Sequence, residues 1–219
     1  MPAPSLILDF DGTLTQVDVG DALCARFADP EWLEIDHRYA RGEMSLPDAQ
    51  RQMWGLFRAT REQACLYALE IGTLRPGVDA LLDRAQALGY TLRLASGGFD
   101  FYIEAILGHA RLKRFASVHC NSARFVPNAV EPLFAEGLGC SRCAVCKGEV
   151  VARYGSSSIL VGDGHSDTCV IGRSSALFAV RNGKLHREAV ARGAAVTPFV
   201  DLNEVAERLP AIVFAAAAD

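Results

Sequence analysis

The chain has 219 residues, half of them hydrophobic, and a formal net charge of −4 at pH 7. This length and composition suffice for one domain with a modest insertion. The negative charge argues against a nucleic-acid-binding protein, which would carry a basic patch. We find neither a signal-peptide pattern nor the roughly 20 consecutive apolar residues of a transmembrane helix. We therefore expect a cytoplasmic, soluble protein with no nucleic-acid or membrane partner.

Four short apolar runs are typical of buried parallel strands, because each is bounded by turn signals. They cover residues 6–8, 90–95, 158–161 and 176–180. Segments with helical spacing separate the runs and end at glycines, which commonly terminate helices. These segments are residues 78–88, 99–107 and 145–154. The alternation predicts an α/β fold, in which helices cover both faces of an open parallel sheet.

Residues 16–75 interrupt the alternation, because they contain no clear strand and their start signals are helical. Three such signals are Asp29 before Pro30, Ser45 before Leu46, and a capping box of Thr60 with Gln63. We expect a small helical cap over residues 16–75, inserted after the first strand. Residues 1–15 and 76–219 would form the core domain.

Polar side chains collect where the predicted strands end. In open parallel sheets, ligands bind in the crevice beyond these carboxyl ends. The residues concerned are Asp9, Asp11, Ser96, Asp163 and Asp167, together with Lys147 at the start of a helix. Four clustered carboxylates repel one another, and one would have to become protonated unless a cation binds. Mg²⁺ suits a site of a few carboxylates plus phosphate and water, so we expect Mg²⁺ as the cofactor.

The spacing of Asp9 and Asp11 suits phosphoryl transfer. Residues two apart on a strand point to the same side, so one carboxylate can attack phosphorus while the other moves a proton. Ser96 and the amides of Gly97 and Gly98 can hydrogen-bond to the phosphoryl oxygens. Taken singly, each motif is an ordinary turn or surface feature. Their order after successive strands favours a functional site.

Four segments together resemble the motifs of the haloacid dehalogenase superfamily of phosphatases. They are Asp9-Phe10-Asp11-Gly12-Thr13-Leu14-Thr15, Ser96-Gly97-Gly98, Lys147, and Gly162-Asp163-Gly164-His165-Ser166-Asp167. The resemblance covers the whole predicted core and implies a Rossmann-like parallel sheet. An aspartate at position 11 argues for a phosphatase rather than a dehalogenase.

The resemblance also assigns roles to residues. Asp9 would be the nucleophile and Asp11 the general acid/base, while Ser96 and Lys147 would bind the phosphoryl group. The implied Mg²⁺ ligands are Asp9, the backbone carbonyl of Asp11, Asp163 and Asp167.

The helical insertion resembles the cap of the phosphoserine phosphatase-like branch. Within that branch, the residues after Ser96 and the cysteine run before Lys147 look closest to the methylthiopentenyl phosphate phosphatases of methionine salvage. That group shares features with phosphoethanolamine and phosphocholine phosphatases. Asp18 and Arg51 match the cap positions at which phosphoserine phosphatases recognise the amino and carboxylate groups of serine.

The chain has seven cysteines, which we expect to be thiols or metal ligands in a reducing compartment. Cys140, Cys143 and Cys146 are spaced by two residues, a pattern that can hold zinc. Cys120 or His119 would then be the fourth ligand. The interpretation we favour from the sequence is that the three are free thiols in a flap over the substrate.

These observations predict a magnesium-dependent phosphatase that hydrolyses a small phosphorylated metabolite through an aspartyl-phosphate. One alternative is a phosphotransferase that passes the phosphoryl group from Asp9 to an acceptor other than water. Another is a phosphoserine or phosphoethanolamine phosphatase rather than a methionine-salvage enzyme. A non-catalytic binding module of the same fold is disfavoured, because every motif residue is present.

Overall fold

The computed structural model describes residues 3–155 and 157–212 and is built around one seven-stranded sheet. The strands are β1 (Ser5–Leu8), β2 (Thr91–Phe99), β3 (Ser117–Val126), β4 (Ala129–Leu133), β5 (Ser158–Gly162), β6 (Ala176–Val180) and β7 (Thr197–Phe199). Their order across the sheet is β4-β3-β2-β1-β5-β6-β7. All neighbours are parallel except β3 and β4. The predicted α/β class with a Rossmann-like parallel sheet is confirmed.

Helices fill the connections between the strands. Between β1 and β2 lie α1 (Val19–Phe27), α2 (Trp32–Ala40), α3 (Leu46–Gly55), α4 (Arg61–Ile71) and α5 (Val78–Ala87). The later helices are α6 (Asp100–Leu112), α7 (Lys147–Tyr154), α8 (Lys184–Ala191) and α9 (Leu202–Arg208). Within the described ranges, no helix is long and apolar enough to cross a membrane.

Strand β1 lies at the centre of the sheet and is buried on both faces. Leu6 and Leu8 belong to one hydrophobic cluster, whereas Ile7 belongs to the other. Successive side chains of a strand point to opposite faces, which explains why this strand is a continuous apolar run. Leu8 pairs with Leu94 of β2 and Val161 of β5. This register brings the carboxyl ends of the three strands together.

The hairpin of β3 and β4 and the short strand β7 were not predicted. Strand β3 is an irregular mixture of buried, half-buried and exposed positions, so it lacks the continuous apolar run used to find the central strands. Asn128 adopts a positive φ of 61° in the turn that reverses the chain into β4. Strand β2 also extends beyond its predicted end through Gly97 and Gly98, with a register shift between Ala95 and Phe99.

The segment after β1 is helical, as expected for a cap. The side chain of Ser45 accepts from the amide of Asp48, and Thr60 forms its capping box with Gln63. The start predicted at Pro30 is wrong, because residues 30–31 form a turn and α2 begins at Trp32. Division into a cap over 16–75 and a core over 1–15 and 76–219 stays a prediction, and residues 1–2, 156 and 213–219 lie outside the described chain.

Trp54 of α3 joins the helices that follow β1 to strand β2 and helix α6. Its indole is almost fully buried and packs against the rings of Phe57, Phe99 and Phe101, at centroid distances of 4.9, 4.8 and 6.1 Å. Phe99 ends strand β2 and Phe101 lies in α6, so one side chain links the cap to the sheet. We expect this contact to stabilise the packing of α3 against the strand ends.

We expect Trp54→Ala to lower the free energy of unfolding by about 3–5 kcal/mol, because it removes a large buried aromatic side chain and leaves a cavity. Chemical denaturation followed by circular dichroism measures this. The matched control is Leu66→Ala on α4, where the side chain is 61% exposed, and it should change stability by less than about 0.5 kcal/mol. Equal effects of the two substitutions would contradict the proposed docking role.

Candidate active site

The ammonium group of Lys147 lies at the centre of the crevice formed by the strand ends. Its Nζ is 2.9 Å from Asp9 Oδ1, 2.9 Å from Asp167 Oδ1 and 2.8 Å from Ser166 Oγ. The side chain is buried, with 1% exposed. Burial alone would lower the pKa of Lys147, but the carboxylates of Asp167 and Asp9 outweigh it and hold that pKa well above its usual range. Lys147 is therefore a permanent positive charge.

The two carboxylates that contact this ammonium group lie beside a third, that of Asp163. One oxygen from each of Asp9, Asp163 and Asp167 lies within 4.8 Å of the others. Burial and repulsion by Asp167 raise the pKa of Asp9 to about 7, while burial and repulsion by Asp9 raise that of Asp163 to about 9. One ammonium does not neutralise three carboxylates. An all-oxygen donor set with excess negative charge fits a hard divalent cation such as Mg²⁺.

The tight turn after β1 holds Asp9 in place. Gly12 has a φ of +69°, and a Cβ there would collide with the carboxylate of Asp163. Thr13 Oγ1 donates at 3.3 Å to both Asp9 Oδ2 and Asp163 Oδ1. The guanidinium of Arg75 donates to the carbonyls of Gly12 and Thr13 at 2.6 and 2.9 Å. These bonds satisfy backbone groups that the turn leaves without strand partners.

Asp167 is oriented by the backbone of the preceding loop. Its Oδ2 accepts hydrogen bonds from the amides of Asp163 and Gly164, at 3.0 and 2.9 Å. Its other oxygen faces Lys147. The carboxylate therefore has one oxygen fixed by backbone donors and one available to the charged centre.

The carboxyl group of Asp11 is outside the three-carboxylate cluster. It accepts from the hydroxyl of Tyr102 at 2.8 Å, from the amide of Val19 at 3.1 Å and from Ser96 Oγ at 3.4 Å. Burial, with repulsion by Asp18 and then Asp9, raises the pKa of Asp11 well above its usual range. A carboxyl group with a raised pKa can hold a proton at neutral pH and donate it.

The bulge at the end of β2 lies beside Asp11. The amide of Gly98 donates to Ser96 Oγ at 2.9 Å, and its bond to a phosphoryl oxygen stays a prediction. The carbonyl of Gly97 accepts from Gln50 Nε2 and Asn121 Nδ2, each at 2.8 Å. Ser96, Gly97 and Gly98 all line the cavity described next.

A cavity of about 430 Å³ extends from the strand ends to the cap. The cap contributes an apolar wall of Leu46, Met53 and Trp54. Charged residues occupy other parts of the lining, and they are Asp18, Asp21, Asp36, Lys184 and Arg187. Such a volume suits a small metabolite with a phosphate at the strand ends and an apolar or polar group under the cap.

The two cap residues expected to recognise substrate differ in position. Asp18 lines the cavity and also caps α1, because its Oδ1 accepts from the amide of Asp21 at 2.9 Å. Arg51 is not among the lining residues. It pairs with Asp48 at 3.0 Å and its guanidinium lies 4.8 Å from the ring centroid of Phe134.

A fourth cysteine, Cys169, lies beside the cysteine run, and the sequence did not indicate it. The sulfur atoms of Cys140, Cys143, Cys146 and Cys169 all lie within 4.8 Å of one another. In the described chain, this group contains neither of the expected fourth ligands, Cys120 and His119. Nε2 of His119 instead lies 2.9 Å from the hydroxyl of Tyr154. Cys169 could not be assigned to this group from the sequence, because it lies beyond the last motif and away from the cysteine run.

Tyr102 is the clearest site residue that the sequence analysis missed. It was part of a helical pattern after Ser96-Gly97-Gly98, where an aromatic residue usually indicates core packing. A Cβ at Gly98 would collide with its hydroxyl, so the glycine permits the approach to Asp11. Tyr102 is a positioning residue for that carboxyl group.

We expect Tyr102→Phe to lower kcat about tenfold, since the hydrogen bond that orients the Asp11 carboxyl group is worth about 1.5 kcal/mol. The bond to Tyr102 lowers the pKa of Asp11. Its loss should therefore raise that pKa further and move the alkaline limb of the kcat profile to higher pH. Tyr67→Phe is the control away from the site. An unchanged alkaline limb in Tyr102→Phe would rule out the positioning role.

Comparisons with known proteins show relatives in sequence and in fold. A family model described as haloacid dehalogenase-like hydrolase matches residues 6–171. A 2-hydroxy-3-keto-5-methylthiopentenyl-1-phosphate phosphatase of Exiguobacterium sp. is 27% identical over 91% of this chain and 94% of its own length. The enzyme of the same name from Bacillus velezensis is 28% identical, over 92% of this chain and 88% of its own.

Solved structures show the same fold. A phosphoserine phosphatase holding a phospho-aspartyl intermediate analogue superimposes with a TM-score of 0.73 at 20% identity, covering 94% of this chain and 99% of the other. The phosphoserine phosphatase of T. onnurineus gives a TM-score of 0.70 at 21% identity, covering 94% and 93%. With the family model spanning most of the chain, the protein belongs to the haloacid dehalogenase-like hydrolase family and is a phosphoric monoester hydrolase.

Proposed function

We propose that the chain is a magnesium-dependent phosphatase that hydrolyses a small phosphomonoester through an aspartyl-phosphate on Asp9. The observation that carries this proposal is the buried contact of Asp9 Oδ1 with Lys147 Nζ at 2.9 Å. Beside it lies Asp11, a second carboxyl group in a different environment. One carboxylate held against a positive charge and one carboxyl with a raised pKa suit a nucleophile and an acid.

In the first step, an oxygen of ionised Asp9 attacks phosphorus and the bond from phosphorus to the ester oxygen breaks. Asp11 donates its proton to that departing oxygen, so the alcohol leaves neutral. Lys147 offsets the negative charge of Asp9 and of the phosphoryl oxygens, which otherwise repel each other. Ser96 Oγ, which donates to Asp11 Oδ2 at 3.4 Å, can turn that proton to a phosphoryl oxygen instead.

In the second step, Asp11 is a carboxylate and accepts a proton from water. The water oxygen attacks phosphorus, the bond to Asp9 breaks, and inorganic phosphate is released. Both residues return to their starting protonation states. The cap helices limit the access of bulk water to the intermediate, and cap opening would release the products.

The residues that would hold Mg²⁺ are Asp9, Asp163 and Asp167, with the backbone carbonyl of Asp11. Their clustered oxygens and the raised pKa values of Asp9 and Asp163 support a cation here. When bound, the ion would supply positive charge that lets the Asp9 carboxylate approach a phosphate dianion.

We expect Asp9→Asn to lower turnover of an aryl phosphate in Mg²⁺ at least about a thousandfold, because an amide is a poor nucleophile. Release of the phenol is measured by absorbance. Chelation of Mg²⁺ should have a similar effect on the unmodified enzyme. Asp83→Asn is the matched control, since its side chain is 73% exposed and remote from the cavity. Near-normal turnover by Asp9→Asn would remove Asp9 as nucleophile.

For the substrate, we propose the methylthiopentenyl phosphate named in the curated relatives. The apolar wall of Leu46, Met53 and Trp54 suits an uncharged methylthio end. A phosphoserine carboxylate would need a cation from the cap, but Arg51 is outside the cavity lining and is paired with Asp48. Acidic Asp18 would repel that carboxylate further.

We expect kcat/KM for 2-hydroxy-3-keto-5-methylthiopentenyl-1-phosphate to exceed that for phosphoserine or phosphoethanolamine at least about a hundredfold, equivalent to about 2.7 kcal/mol of transition-state binding. Phosphate release under Mg²⁺ saturation is the measurement. Added alcohols test for phosphotransfer, and free phosphate should remain the main product. A higher kcat/KM for phosphoserine would contradict this substrate assignment. It would instead support a role for Arg51 in binding the serine carboxylate.

A further inference from the structure

We infer that Cys140, Cys143, Cys146 and Cys169 form a tetrathiolate site for one zinc ion, separate from the carboxylate site. Three ligands come from the loop that leads into α7, and the fourth comes from the short 3-10 turn His165–Val170. The site's existence does not depend on the proposed substrate.

The sulfur geometry matches tetrahedral zinc. Zinc–sulfur bonds of about 2.3 Å place the corners of a tetrahedron about 3.8 Å apart. The Sγ atoms of Cys143 and Cys169 lie 3.8 Å apart, and all four sulfurs are within 4.8 Å of one another. A disulfide would require about 2.05 Å between sulfurs. The four thiols therefore converge on a point without pairing into disulfides.

The surroundings favour thiolates bound to a cation. Four thiolates around one Zn²⁺ carry a net charge of −2, which requires nearby positive charge or hydrogen-bond donors. Arg142 and Arg192 line a small cavity together with Cys143 and Cys169. The backbone amide of Arg142 also donates to Cys140 Sγ at 3.5 Å. Binding releases the thiol protons and changes no oxidation state.

The position of the site suggests what zinc would do for the fold. Cys146 immediately precedes Lys147, and Cys169 follows Asp167 by two residues. Zinc would therefore cross-link the two segments that carry the central ion pair. The same loop contacts the cap, because the amide of Leu46 donates to the carbonyl of Arg142 at 2.9 Å. The loop between β4 and α7 has no other regular structure, so such a cross-link would restrict its conformations.

The test is the metal content of the full chain, purified under reducing conditions and exchanged into buffer with excess Mg²⁺ and no added zinc. Elemental analysis should give about one zinc per chain. Cys140→Ser and Cys169→Ser should each lose most of it. Cys65→Ser and Cys120→Ser are the matched controls and should keep it. Asp163→Asn should also keep it, which separates this site from the proposed catalytic metal site.

A second measurement does not depend on the variants folding normally. Cobalt-substituted enzyme should show the intense visible bands of tetrahedral Co²⁺ and sulfur-to-cobalt charge-transfer absorption, which oxygen ligands do not give. The inference is overturned if the reduced chain remains free of zinc after incubation with a zinc salt. Iron in place of zinc, or a disulfide within the group found by mass spectrometry, would also overturn it.

Discussion

The buried contact of Lys147 with Asp9 and Asp167 is the interaction on which the site depends. An ammonium and two carboxylates removed from water carry a large desolvation cost, which only close geometry and further hydrogen bonds offset. The chain supplies these through Ser166 at the ammonium and the backbone amides at Asp167. The remaining excess of negative charge is what makes this centre suited to a cation and a phosphate together.

The fold explains how this centre is built from distant segments. Strand β1 pairs with β2 on one side and β5 on the other, so their carboxyl ends form one edge. Asp9 follows the first of these strands and Asp163 follows the last. Lys147 reaches the same edge as the first residue of α7. Helix α3 lines the cavity above them, and its Trp54 packs on Phe99.

The sequence could predict the sheet core and the meeting of Asp9, Lys147 and Asp167, because each follows or precedes an apolar strand. Edge strand β4 and its neighbour β3 were missed because their burial is uneven. Tyr102 and Cys169 could not be assigned from local pattern, since their partners are distant in sequence and depend on helix and loop packing. The position of Arg51 outside the cavity lining likewise depends on tertiary contacts.

The central claim is that Asp9 carries the phosphoryl group during turnover. Acyl phosphates are reduced by borohydride, so a phosphorylated aspartate trapped during steady-state hydrolysis becomes homoserine. Peptide mass spectrometry of the quenched enzyme should find homoserine at position 9, and none in enzyme treated without substrate. Reduction at another carboxyl group, or an unmodified Asp9 in enzyme quenched during turnover, would contradict the account.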